Sequence, residues 1–167
     1  MDRSIKISVD LMGGDNSPKK TIEGINLFLS RSKVNDCFFY LYGDKNKVQN
    51  LIDEKKLLKN KYQLIDTKIL VSNELSAMSA LKKGKGSSMW ESIHSQISLD
   101  SDVTLSAGNT GVFLVMSKMI LKTMEGINKP ALAALWPSEK GMNLVLDLGA
   151  NVECSEKNLI DFSEMGS

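Results

Sequence analysis

Histidine and cysteine are scarce in this sequence, and their scarcity removes several kinds of active site. His94 is the only histidine among 167 residues, so a histidine-rich metal site and a Ser–His–Asp triad both lack support. We interpret it as a structural residue of a helix. The two cysteines, Cys37 and Cys154, stand far apart and form no CxxC pair. We expect two reduced, packed thiols, as in a cytosolic protein, with a disulfide or metal site as the minority interpretation.

Excess charge and long apolar runs are also missing. The formal net charge is +1, which gives no broad basic field for nucleic acid and no acidic tail. No stretch approaches the roughly 18 apolar residues of a membrane-spanning helix. The N-terminal "MDRSIKISVD" lacks the long apolar region of a secretory signal. These absences predict a soluble protein of one ordinary domain, for which peripheral membrane contact stays open.

Strand-like and helix-like patterns alternate along the chain, which predicts a mainly parallel sheet with helices on both faces. The second helix should turn Val48, Leu51, Ile52 and Leu58 inward, and the helix over 109–124 should be buried on more than one side. A basic break, "KKGKGSS", separates a short helix from a longer one. The predicted strands are 5–12, 37–43, 62–67, 102–108 and a closing pair at 130–137 and 143–149; other helices start near Pro18, at 44 and after Ser155.

Glycine stands beside aspartate or asparagine at the ends of several predicted strands. Four polar or glycine-rich segments end predicted strands, "MGGDNSP", "YGDKN", "SAGNTG" and "DLGANVEC", and the first three place glycine directly beside aspartate or asparagine. Ligands of parallel α/β sheets bind beyond the carboxyl ends of the strands. The pattern therefore places a candidate site at that edge of the sheet.

The first of these segments offers flexible backbone and carboxylates. Gly13 and Gly14 allow positive φ and close approach to a ligand, and Asp10 and Asp15 add negative charge. Asp15 or Ser17 capping the next helix is an equally good interpretation. The segment matches neither GxGxxG nor GxxxxGK[ST], so a dinucleotide or P-loop site is disfavoured.

"SAGNTG" has the composition of an anion cradle at the start of a helix. Backbone N–H groups there attract phosphate, and Ser106, Asn109 and Thr110 add side-chain donors. The alternative is a simple strand-to-helix turn capped by Asn109. "KKGKGSSM" poses the same choice, because Lys85, Ser87 and Ser88 suit either a phosphoryl group or a solvated turn with a serine cap.

"LDLGANVEC" offers Asp147, Asn151 and Glu153 at the end of the last predicted strand. Their side chains suit hydrogen bonds to a substrate or to neighbouring loops. They equally suit the backbone groups of a tight turn. Cys154 is only weakly suggested as a nucleophile, because no suitable histidine accompanies it.

Taken together and in this order, these segments resemble the PlsX family of phosphate acyltransferases. The matching stretches are "DLMGGDNSP", "GSSM" at 86–89, "SAGNTG", "GINKPAL" at 126–132, "LDLGANVEC" and "MGS" at 165–167. Each is weak alone, but the ordered set is specific and covers essentially the whole chain.

The resemblance implies a fold, a reaction and partners. The fold is Rossmann-like α/β, as in phosphate acetyltransferases and isocitrate or isopropylmalate dehydrogenases. The reaction makes acyl-phosphate from inorganic phosphate and an acyl chain on acyl carrier protein, for bacterial phospholipid synthesis, and needs no cofactor or metal. The resemblance further implies a cytoplasmic homodimer, with peripheral membrane association and contact with a glycerol-3-phosphate acyltransferase. The near-neutral charge and the lack of an aromatic-basic face predict no nucleic-acid partner.

We assign site residues on the same basis, because phosphate must be held and the tetrahedral oxyanion stabilised. Catalytic roles fall to Asn109, Ser88 and Lys85. The expected phosphate and substrate contacts are Asp10, Gly13, Gly14, Asp15, Ser87, Ser106, Gly108, Thr110, Gly111, Asp147 and Asn151.

The sequence departs from the family pattern in two side chains and in length. Lys129 replaces the usual arginine and Glu153 the usual aspartate, and lysine keeps the charge without the bidentate fork. Family chains continue well past "MGS", so we expect the N-terminal portion of a PlsX-like domain. An inactive remnant and one chain of a split enzyme are the alternatives to an active acyltransferase. A dehydrogenase or acetyltransferase of the same broad fold is disfavoured.

Overall fold

The computed structural model describes residues 4–31, 36–69, 71 and 77–167. Residues 72–76, at the start of the predicted short helix, lie outside the described ones. The chain divides into two compact units, Met1–Leu121 and Lys122–Ser167.

The first unit alternates strands and helices. Asp44 begins α2 by accepting a hydrogen bond from the backbone of Asn46, and Ser87 begins α4 in the same way. The described strands are β1 (Ile5–Asp10), β2 (Cys37–Gly43), β3 (Tyr62–Asp66) and β4 (Val103–Leu105). The described helices are α1 (Lys19–Arg31), α2 (Lys45–Asp53), α3 (Ala77–Lys83), α4 (Ser88–Ser98) and α5 (Thr110–Leu121).

The four strands form one parallel sheet in the order β3-β2-β1-β4. Ile7 of β1 lies opposite Phe39 of β2 on one side and Val103 of β4 on the other. β1 and β4 are neighbours in the sheet although four α-helices and the strands β2 and β3 are described between them in the chain. The strand order therefore reverses at β1 and β4, the kind of position where α/β sheets bind ligands.

Helices cover both faces of this sheet, which confirms the predicted Rossmann-like α/β class. Val9 and Leu41 face α1 and α2 and form a core with Ile22 and Ile52. Ser8, on the opposite face, donates its hydroxyl to the backbone oxygen of Ser92 in α4 at 2.8 Å. A second apolar cluster joins α4 to α5 through Met89, Ile93, Val112 and Met116.

The second unit contains the predicted closing strand pair. β5 (Ala133–Ser138) and β6 (Gly141–Leu146) pair antiparallel and form a two-stranded sheet of their own. The helix α6 (Glu156–Gly166) follows, and Ser155 and Asn158 form a capping box at its start. Among the described helices, none has the length and apolar character needed to cross a membrane.

Three expectations from the sequence are wrong in detail. The helix predicted over 44–58 ends at Asp53, and a separate 3₁₀ turn at Lys56–Leu58 still buries Leu58 completely. α5 is not buried on several sides, because Met119 is 56% exposed. Cys37 is buried, but Cys154 is exposed rather than packed; both thiols are free.

Candidate functional site

Asp10 and Ser106 join the carboxyl ends of the two neighbouring strands β1 and β4. The Ser106 hydroxyl donates to Asp10 Oδ2 at 2.7 Å. Asp10 is buried, and its Oδ1 accepts the backbone N–H groups of Met12 at 3.0 Å and Gly13 at 3.2 Å. The carboxylate is thus used to shape the loop after β1 and to tie it to the loop after β4.

Gly13 packs so closely in this corner that a side chain would not fit. A Cβ at this position would lie 2.5 Å from Asp10 Oδ2, 2.8 Å from the backbone nitrogen of Gly108 and 2.9 Å from Ser106 Oγ. Gly14 has φ of +89°, and its Cβ would meet the backbone oxygen of Ala107 at 2.6 Å. Both glycines are therefore required by the approach of the two loops, which their sequence context had suggested.

Two helix N-termini lie beside these loops. Ser87 caps α4 by accepting the Trp90 N–H at 3.2 Å, and Ser88 begins the helix; both serines are buried. Asn109 accepts the Val112 N–H at 3.0 Å through Oδ1, so it caps α5. The capping roles weighed from the sequence are thus present for Ser87 and Asn109. Capping and anion binding are compatible, because a cap uses only part of the donors at a helix start.

A small cavity of about 10 Å³ brings these elements together, with room for roughly one water. It is lined by the loop after β1, the start of α4 and the residues before α5. The lining residues are Asp10, Met12, Gly13, Val71, Ser88, Met89, Gly108 and Asn109. The N–H groups of a helix's first turn lack intrahelical partners and carry the positive end of its dipole. Two such ends at one cavity favour a bound anion such as phosphate.

The remaining predicted residues of the first unit lie outside the cavity lining. Lys85 is exposed in the turn before α4, and Thr110 and Gly111 are exposed in the first turn of α5. Asp15 is exposed and lines a different, apolar groove beside α1. Gly108 is different, because it lines the cavity and also donates its N–H to Ser106 Oγ at 3.1 Å, which joins it to the Asp10–Ser106 corner.

The second unit contains its own polar cluster around Asp147, which has φ of +59°. The side-chain amide of Asn151 donates to Asp147 Oδ1 at 2.8 Å and to the backbone oxygen of Pro130 at 2.9 Å. That amide holds the pKa of Asp147 below its ordinary value, and the thiol of Cys154 adds a hydrogen bond at 3.3 Å. Local desolvation, followed by the carboxylate of Asp147, raises the pKa of Cys154, which disfavours a reactive thiolate.

The side chain of Lys129 contacts the backbone of Glu153 rather than its carboxylate. The Lys129 ammonium donates to the backbone oxygen of Glu153 at 2.6 Å. A single N–H donor is sufficient for that contact, so lysine fits where the family pattern has arginine. Across the part of the chain that the structure describes, no group of three or more histidine, cysteine, aspartate or glutamate side chains could hold a metal ion.

Sequence reasoning missed three apolar lining residues, Met12, Val71 and Met89. A methionine or valine carries no chemical signal of a polar site. The Met89 methyl group packs against Gly108. A Cβ added to Gly108 would lie 2.5 Å from that methyl group, and this close contact holds the Met89 side chain at the cavity.

The family model described as "Fatty acid synthesis protein" matches residues 5–167 of this chain. The chain belongs to this family. The resemblance to the PlsX family drawn from the ordered motifs is therefore confirmed.

Several curated proteins named "Phosphate acyltransferase" are similar to this member of the fatty acid synthesis protein family. The one from Pelagibacter ubique is 54% identical over the whole chain but only 49% of its own length is covered. The one from Rhodospirillum rubrum is 39% identical over 99% of the chain and 47% of its own length. The one from Rhizobium etli is 41% identical over 97% of the chain and 46% of its own length. The chain thus spans about half the length of these relatives.

Proposed function

We propose that this chain provides the phosphate-binding part of an acyltransferase that makes acyl-phosphate from inorganic phosphate and an acyl group on acyl carrier protein. The observation that carries the proposal is the cavity at which α4 and α5 both begin, beside the glycine loop after β1. The names of the relatives and of the family support the reaction class.

In this proposal the phosphate oxygens accept N–H groups from the first turns of α4 and α5. Ser88 adds its hydroxyl, and Asn109 fixes the start of α5. The exposed Lys85 supplies positive charge at the entrance, and Thr110 and Gly111 supply the first-turn donors of α5. Because the cavity holds only about one water, phosphate binding requires the loops to separate slightly.

Asp10 acts as a positioning residue. A bare carboxylate would repel phosphate, but this one already accepts the Ser106 hydroxyl and two backbone N–H groups. Its charge is thereby partly compensated. Its proposed role is to hold the two loops at the spacing that the anion needs.

The reaction needs positioning and oxyanion stabilisation more than a covalent enzyme intermediate. A phosphate oxygen attacks the thioester carbonyl carbon, a tetrahedral oxyanion forms, and the carbon–sulfur bond breaks to release the carrier thiol. Backbone N–H donors stabilise the oxyanion, and binding both reactants together supplies much of the rate. A dedicated nucleophile is not required.

The family resemblance adds four further points to the proposal. They are acyl carrier protein as the acyl donor, a cytoplasmic homodimer, peripheral membrane association and contact with a glycerol-3-phosphate acyltransferase. Asp147 and Asn151 are proposed as substrate-binding residues of the second unit. Their support is the ordered hydrogen-bond cluster that they form with Pro130.

A second candidate is an inactive remnant or one chain of a split enzyme. The chain spans about half the length of each relative, so both candidates are tested in this chain and in a longer one. One experiment separates the candidates. The chain is compared with an extended chain, in which residues 1–167 continue into the remaining C-terminal part of the Pelagibacter relative.

Both proteins are mixed with acyl-[acyl carrier protein] and inorganic phosphate, and phosphate-dependent release of the carrier thiol is measured. Release by both supports an active short chain, and release by the extended chain alone supports a split or incomplete enzyme. Absence of release from both, with the relative itself active in parallel, would refute the proposed function.

A further inference from the structure

A second concave surface lies beside β3, the outermost described strand of the parallel sheet. This cleft is lined by Tyr62, the first residue of β3, and by the end of α2 and the turn that follows it. It therefore lies at the amino ends of the strands, whereas Asp10 and Ser106 meet at their carboxyl ends. Its volume is about 640 Å³, and ligand pockets typically have about 300–1,000 Å³. The cleft is thus a separate candidate site of ligand size.

Lysine side chains dominate the lining of this cleft. The lining residues are Ile52, Asp53, Lys55, Lys56, Lys59, Asn60 and Tyr62. Within the described ranges, none of the three ammonium groups forms a salt bridge. Asp53 is the one carboxylate of the lining, and its Oδ1 accepts the Gln49 side-chain amide at 2.8 Å. Three lysines against one aspartate leave a local charge of +2, in a chain whose formal total is +1.

The backbone around the cleft is held in place by the core. Leu58 is completely buried and anchors the 3₁₀ turn, in which the Lys59 N–H donates to the Lys56 oxygen at 3.3 Å. Asn60 then has φ of +64°, which directs the chain into β3. Lys56 and Lys59 are exposed, and Lys55 is half-buried. The lysines are therefore carried on a fixed turn rather than on a free segment.

The end of α2 does not account for these lysines. Cations after a helix offset the negative end of its dipole. Here the last carbonyl groups already have partners, because the Glu54 N–H donates to the Asn50 oxygen at 3.3 Å and the Lys55 N–H to the Ile52 oxygen at 2.8 Å. The ammonium groups therefore have donors to offer to an anion from solution.

We propose that this cleft binds a nucleoside di- or triphosphate. Lysine binds phosphate as a point charge, and three lysines suit a ligand with more than one phosphate group. Tyr62 is half-buried and supplies an aromatic ring, on which any base can stack. The Asn60 amide has both donors and an acceptor for a base edge or a sugar hydroxyl. A flat membrane surface would not fill a concave site. The inference depends on the fold of the first unit and not on the proposed reaction.

Calorimetric titration of the chain with ATP and with GTP tests the inference, and adenosine and pyrophosphate are titrated separately. The double variant Lys56→Gln/Lys59→Gln removes two charges from the cleft. The matched control is Lys45→Gln/Lys47→Gln, because these two lysines are exposed at the other end of α2. Asp53→Asn removes the one negative charge and keeps an acceptor for Gln49. Melting temperatures confirm that all variants are folded.

We expect the double variant to bind the nucleotide at least about tenfold more weakly, and the control to change by less than about twofold. Asp53→Asn should bind about threefold more tightly. A gain of affinity cannot result from a damaged fold, so this variant keeps the test independent of the stability of the others.

Several results would overturn the proposal. They are absence of binding at millimolar nucleotide, equal affinity in the double variant and its control, and adenosine or pyrophosphate binding as tightly as ATP. Loss of binding in Asn109→Asp instead would place the ligand in the cavity at the start of α5. Sedimentation with phosphatidylglycerol vesicles through Lys56 and Lys59, without nucleotide binding, would assign the cleft to a lipid headgroup. No acyl donor enters these assays, so their failure is distinct from failure of the proposed function.

Discussion

Ser106 Oγ and Asp10 Oδ2 are 2.7 Å apart although 96 positions separate the two residues in the sequence. This hydrogen bond closes the corner between β1 and β4, where the strand order reverses. It also fixes the acceptor that receives the Met12 and Gly13 N–H groups. The geometry of the candidate anion site therefore depends on a contact between two loops rather than on either loop alone.

Ser106→Ala should destabilise the chain by about 2 kcal/mol, because a hydrogen bond to a buried charged group is lost and the carboxylate keeps its desolvation cost. The free energy of unfolding in urea measures this effect. Ser30→Ala is the control, since the exposed Ser30 hydroxyl donates only to the Leu27 backbone oxygen at 2.7 Å. We expect less than about 0.5 kcal/mol there. Equal losses for both variants would show that the Asp10–Ser106 bond contributes little.

Gly13→Ala and Gly24→Ala should have opposite effects. At Gly13 the added methyl group would meet backbone and side-chain atoms within 3 Å, so the loops must separate and stability falls. At Gly24, inside α1, a Cβ meets nothing within 4 Å, and alanine should stabilise by about 0.5–1 kcal/mol. Thermal and urea unfolding of the two variants test the pair. A neutral Gly13→Ala would mean that the corner is looser than the structure shows.

The helices and their N-terminal caps were predictable because each depends on residues that are close together in the sequence. Apolar spacing located the helices, and the predicted caps Ser87 and Asn109 are present. The strand order β3-β2-β1-β4 was not predictable, because it depends on which distant strands pair. For the same reason the sequence predicted only that Asp10 and Ser106 lie at the same edge of the sheet, and not that they form a hydrogen bond.

The packing of α4 shows a further limit of pattern reading. Its face toward the sheet is built partly from serines: Ser92 and Ser95 are fully buried, and the Ser92 backbone oxygen accepts the Ser8 hydroxyl. An apolar-periodicity rule assigns serines to solvent. These serines are buried because their hydroxyls find partners, as Ser95 does with Ser101 at 2.9 Å. Such partners lie far apart in the sequence or across a loop and leave no periodic signal.

Acid should weaken the second unit through Asp161. Its hydrogen bond from Lys157 at 2.9 Å, together with the Asn128 N–H, holds the pKa of Asp161 below the ordinary 3.8. A lowered folded-state pKa stabilises the fold above the unfolded value, and this stabilisation is lost as the pH falls through the folded value. We therefore expect the urea midpoint of the second unit to decrease as the pH falls below 3.8.

Tryptophan fluorescence reports this transition, because Trp136 lies in the second unit and Trp90 in the first. In a Trp90→Phe background, Asp161→Asn should lower the midpoint at neutral pH and reduce its change on acidification. Some sensitivity should persist through Asp147, whose pKa is also lowered. An unaltered pH profile in the Asp161→Asn protein would refute the assignment.

Asn109 allows helix capping to be separated from anion binding. Serine and aspartate are about as good as asparagine at a helix N-cap, so Asn109→Ser and Asn109→Asp should both preserve the Val112 hydrogen bond and the melting temperature. Aspartate also interacts favourably with the helix dipole. It nevertheless adds a negative charge to the cavity where phosphate is proposed to bind.

We therefore expect phosphate to bind the Asn109→Asp protein at least about tenfold more weakly than the Asn109→Ser protein, a difference of about 1.4 kcal/mol that one nearby like charge readily supplies. Calorimetric titration with inorganic phosphate measures it, and phosphate-dependent acyl transfer by the extended chain should fall in the same order. Equal phosphate affinity in two equally stable variants would mean that Asn109 only caps α5. The anion would then have to bind elsewhere, since this residue lines the cavity at which both helices begin.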